Sequence, residues 1–81
     1  MFEAFLNNND EYVNQLSQRL ETYYSLYAQK QLSYDQFIDL SQDITDLGKI
    51  GELAVSIERK AAIQEAIELM IKIIEAIPKP F

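Results

Sequence analysis

The chain has 81 residues, 48% of them apolar and 25% charged, with no Cys, no His and a net charge of −6. That length allows a single domain, residues 1–81, with a thin stability margin. The missing residue types exclude disulfides, Cys/His zinc sites, the commonest general base and the strongest nucleophile.

The acidic balance argues against direct binding to nucleic acid or to an anionic membrane surface, since both need basic residues. It is unevenly spread. Residues 32–48 hold four acidic residues and no basic one, whereas residues 49–81 hold five of each. The opening Met1-Phe2-Glu3-Ala4-Phe5-Leu6 lacks the basic start and long apolar run of a signal peptide. Residues 61–77 are too interrupted by Glu65, Glu68, Lys72 and Glu75 to span a membrane. A cytoplasmic protein is expected.

The spacing predicts a first helix over about residues 9–30. Leu6, Val13, Leu20 and Tyr27 fall seven apart, and Phe2, Leu16 and Tyr23 occupy a second heptad position that Asn9 interrupts. Asn8 with Glu11 resembles a capping box, and Asp10 suits a first turn. Residues 2–6 either extend this helix or fold back as a short arm. Val13, Leu16, Leu20, Tyr23 and Tyr27 are expected in the core. Tyr12 and Tyr24 lie beside the seam and are candidate rim contacts.

The second helix is predicted over about residues 33–47. Ser33 with Gln36 forms a capping box, and Leu32 with Phe37 forms a hydrophobic staple. Phe37, Leu40, Ile44 and Leu47 give it a core face, and Gly48 stands where a left-handed C-cap is expected. The short connection Lys30-Gln31-Leu32 makes the first two helices antiparallel neighbours. Asp35, Asp39, Asp43 and Asp46 line the opposite face. They read as a solvated face or as a docking stripe for a basic partner. Asp43-Ile-Thr-Asp-Leu-Gly48 fails as a calcium loop, because Leu47 and Ala54 stand where ligands belong.

Two glycines bracket Gly48-Lys49-Ile50-Gly51, which predicts a break. The alternative is one helix running through it, giving a two-helix hairpin. The third helix is predicted over about residues 52–77, stopping before Pro78, with an extended tail over residues 78–81. Ile63, Ile67, Met70, Ile74 and Ile77 lie on one line and are expected in the core. Ala62, Ala66, Leu69, Ile73 and Ala76 lie on an adjacent line. With Ile71 these residues span an arc of about 220°, where a one-sided surface helix needs about 100°. The Ala-containing line, whose small residues allow close helix approach, is therefore the candidate interface. The terminal Pro80-Phe81 resembles the Pro-Phe end of bacterial single-stranded-DNA-binding protein tails, although Lys79 departs from their acidic character. A tail packing back onto the bundle is expected instead.

The sequence thus predicts an all-α fold, a three-helix antiparallel arrangement completed by oligomerisation. No catalytic residue, metal site or cofactor is expected, and the chain does not read as an enzyme. The expected function is that of a structural or adaptor protein acting by helix–helix association, with partners that are its own copies or a larger protein. The alternative is an acidic inhibitor or regulator, of phage or mobile-element type, that binds a basic surface of a nucleic-acid enzyme through the Asp stripe.

Overall fold

In a computed structural model, which describes residue 2 and residues 10–79, the chain forms three α-helices. They are α1 (Glu11–Ala28), α2 (Tyr34–Gly51) and α3 (Ile57–Glu75), with a short 3-10 turn, Glu52–Ala54, between α2 and α3. There is no strand among the described residues.

Asp10 caps α1: its carboxylate accepts the amides of Tyr12 and Val13 at 2.9 and 3.4 Å. The expected cap, Asn8, lies outside the described residues. The helix ends in a Schellman turn, in which the Gln31 amide reaches the Leu26 carbonyl (2.9 Å) and the Lys30 amide that of Tyr27 (3.0 Å). Lys30 holds the left-handed position, with φ 64°, where glycine is usual.

The chain then reverses into α2 through the expected capping box. Ser33 Oγ accepts the Gln36 amide (3.1 Å) and Gln36 Oε1 accepts the Ser33 amide (2.9 Å). Antiparallel pairing follows from the contacts at each end. Tyr27 stacks on Phe37, with ring centroids 5.1 Å apart, and the Tyr12 hydroxyl donates to the carbonyls of Leu47 and Gly48. At the far end of α3, the Tyr34 hydroxyl donates to the Ile77 carbonyl (3.0 Å), so α3 is antiparallel to α2.

Gly48 does not end α2. No glycine has a positive φ, and the helix continues to Gly51. Gly48 is buried, and a Cβ there would stand 3.0 Å from both Leu16 Cδ1 and Ile67 Cδ1. Its role is to let the three helices converge. The break comes later, where Val55 and Ser56 are extended, and this overturns the two-helix alternative. Ser56 stands at the N-cap position of α3, without a side-chain capping bond, and the helix starts five residues after the expected position.

The core joins Val13, Leu16 and Leu20 of α1 to Phe37 and Ile44 of α2 and to Ile63, Ile67, Met70, Ile74 and Ile77. Tyr23, Tyr27 and Leu40 are half-buried at its edge. Leu47 was expected inside and is instead 52% exposed. The buried stripe of α2 runs Phe37, Ser41, Ile44, Thr45 and Gly48, and Leu47 lies well off that line. Phe2 is fully buried in the core, with its amide 2.7 Å from Glu21 Oε2. Phe2 therefore packs beside α1, and the rest of the expected arm, residues 3–6, lies outside the described residues.

Candidate interaction surface

The solvent face of α2 changes character along its length. Asp35, Asp39, Asp43 and Asp46 are all exposed. On a helix, Asp39, Asp46 and Ile50 fall within about 40° of one another. The acidic stripe therefore runs straight into Ile50, which is 66% exposed, and then into Leu53 of the 3-10 turn, which is 73% exposed. Ile57, at the start of α3, is 88% exposed, and the half-exposed Leu47 lies beside Ile50.

At this corner the usual order of polar and apolar is inverted. The turn places Glu52 inside while Leu53 faces water, and Glu52 Oε2 is buried without a hydrogen-bond partner. Burial, reinforced by the negative charge of Glu52, raises the Tyr12 phenol above its ordinary value. Its hydroxyl bonds to α2 and its packing against the core tie the half-buried Tyr12 into the chain's own fold. Tyr24 is likewise engaged within the chain, edge-on to Phe37 at 6.0 Å.

The stripe carries little internal compensation. Lys79 lies 3.5 Å from Asp35, an exposed pair of small energetic weight. Asp39, Asp43 and Asp46 have no ion-pair partner among the described residues. A better-formed pair lies elsewhere. Arg59 grips Asp10 with two bonds of 2.8 and 3.0 Å, joining the first turn of α3 to the cap of α1. The Arg59 hydrogen bond holds the Asp10 carboxyl below its ordinary value, helped by the two capped amides and opposed by burial.

The Ala-containing line of α3 does not form one open face. Ala62 and Ala76 are exposed and Leu69 is 45% exposed, but Ile73 is half-buried and Ala66 is 6% exposed. Ala66 adjoins the buried arc centred on Ile63 and Met70, so it belongs to the chain's own core. Ile73 and Ala76 instead line an apolar groove of about 430 Å³ with Tyr24, Tyr27, Ile77 and Pro78. Pro80 and Phe81 lie outside the described residues. No group of carboxylates suited to a metal ion occurs among the described residues. No described helix is long and apolar enough to cross a membrane.

Ile50, Leu53 and Ile57 were not singled out from the sequence. Their signal was present: Ile50 interrupts an otherwise acidic helical face. Reading Gly48 as the helix end concealed it. Compared with known proteins, the chain matches no family model, no curated protein and no solved structure.

Proposed function

We propose that the chain is a non-catalytic structural or adaptor protein that works by helix–helix association with protein, either further copies of itself or a larger partner. One observation carries this reading: around the connection between α2 and α3 the aliphatic side chains of Leu47, Ile50, Leu53 and Ile57 all stand open to water. Hiding four side chains exposed to this degree is worth about 4–8 kcal/mol, at ~1.5–3 kcal/mol for each full burial. An uncovered surface of this kind fits association better than solitary existence.

The test is photo-crosslinking in the cells that make the protein. A benzophenone amino acid placed at Leu53 should give discrete crosslinked products, and one at Glu68, exposed on α3, should not. Equal crosslinking from both positions, or none from Leu53, would reject the reading.

A second reading, an acidic inhibitor that occupies a basic surface, is favoured by the exposure of all four stripe aspartates. Replacing Asp35, Asp39, Asp43 and Asp46 with Asn should abolish such binding. Retained binding would exclude it.

A further inference from the structure

We infer that the solvent face of α2 is a docking surface for a basic amphipathic helix of another protein, lying antiparallel to α2, with an apolar N-terminal half and a C-terminal half carrying Lys or Arg. This inference rests on the association reading above and names the partner.

The argument is charge complementarity along one face. From Asp39 to Leu53 the face runs for about 21 Å, at ~1.5 Å per residue, so four turns of a partner helix cover it. Its first half presents Asp39, Asp43 and Asp46 without an ion-pair partner among the described residues, and its second half presents Ile50 and Leu53. A partner must therefore be cationic at one end and apolar at the other. Antiparallel placement sets the cations at the partner's own C-terminus, where its helix dipole favours them. It also brings that negative end near the N-terminus of α2.

A second copy fits this face poorly. Antiparallel pairing of α2 with α2 would press Asp39–Asp46 of one copy against Ile50 and Leu53 of the other, desolvating carboxylates with no cation to meet them. Parallel pairing would set aspartate against aspartate.

The probe is a 16-residue helical peptide with Leu on one face of its N-terminal half and Lys on the same face of its C-terminal half. It is titrated into the full chain at low and moderate salt and followed by amide NMR shifts and calorimetry. Binding is expected to perturb residues 39–53 and to weaken with salt. Replacing Asp39, Asp43 and Asp46 together with Asn should reduce affinity about tenfold and flatten the salt dependence. Leu53→Ser should reduce it about fivefold and leave the salt dependence intact. A peptide with the two halves exchanged should bind about twofold to fivefold more weakly. All four substituted residues are exposed, so folding is preserved. Equal binding of a Glu-for-Lys peptide, unchanged affinity in the Asn variant, or shifts confined to another face would overturn the inference. If the peptide fails while position 53 still crosslinks in cells, only the docking inference is lost. If both fail, the association reading falls with it.

Discussion

Ala66→Glu and Leu53→Glu separate the core of this chain from its open surface. Both introduce one carboxylate into an apolar setting. Ala66 is 6% exposed and Leu53 is 73% exposed. At position 66 the new charge would sit in the core cluster beside Ile63, Ile67 and Met70. An uncompensated buried charge costs about 3–5 kcal/mol. A protein of this length has about 4–12 kcal/mol in total, at ~0.05–0.15 kcal/mol per residue. Ala66→Glu should therefore lose between about a quarter and all of that stability. At position 53 the carboxylate is solvated, and the expected change is within about 0.5 kcal/mol. Urea unfolding followed by circular dichroism measures both. With a slope of about 1 kcal/mol per molar urea, the midpoint should fall by about 3 M or more for Ala66→Glu and barely move for Leu53→Glu. A folded Ala66→Glu chain with the parental midpoint would show that Ala66 faces a partner rather than the core.

Three further outcomes follow from local geometry. Lys30→Gly should raise stability by about 0.5–1 kcal/mol, because Lys30 occupies a left-handed position that disfavours a side chain; thermal melting would show a rise of a few degrees. Asp10→Asn should remove an acid-dependent contribution to stability. The Asp10 carboxyl is lowered in the fold, so its contribution is complete above the unfolded value of 3.8 and is lost as pH falls through the folded one. The difference in melting temperature between parent and variant should thus shrink below about pH 4, and a constant difference would refute the assignment. Gly51→Ala should destabilise the fold despite the better helix propensity of Ala, because the new Cβ collides with the Tyr12 hydroxyl. Adding Tyr12→Ala should recover part of that loss in a double-mutant cycle, and strictly additive effects would exclude the contact.

The parts of the fold governed by short-range chemistry were legible in the sequence. The Ser33–Gln36 box starts α2 where its residues place it, and the spacing of Ile63, Ile67, Met70 and Ile74 identifies the buried line of α3. What was not legible depends on packing between helices. Gly48 has the residue type of a C-cap, but its missing side chain is used by Leu16 and Ile67, which lie far off in sequence. Once Gly48 is taken as a helix end, the phase of Ile50 relative to the Asp stripe is lost, and with it the apolar end of the candidate surface. Ala66 was ambiguous for a related reason. A small residue at the border of a buried arc suits close approach by the chain's own helices as well as by a partner's. The inversion of Glu52 and Leu53 is a product of the 3-10 turn, which no spacing in the sequence announces.

The premise of association is that the continuation of the acidic face is open in the free chain. Solvent paramagnetic relaxation on Ile- and Leu-methyl-labelled protein, at low micromolar concentration with a soluble gadolinium chelate, tests it directly. The methyls of Ile50, Leu53 and Ile57 should relax strongly while those of Ile63 and Ile67 stay protected. Methyls at positions 50, 53 and 57 as protected as that of Ile63 would contradict it.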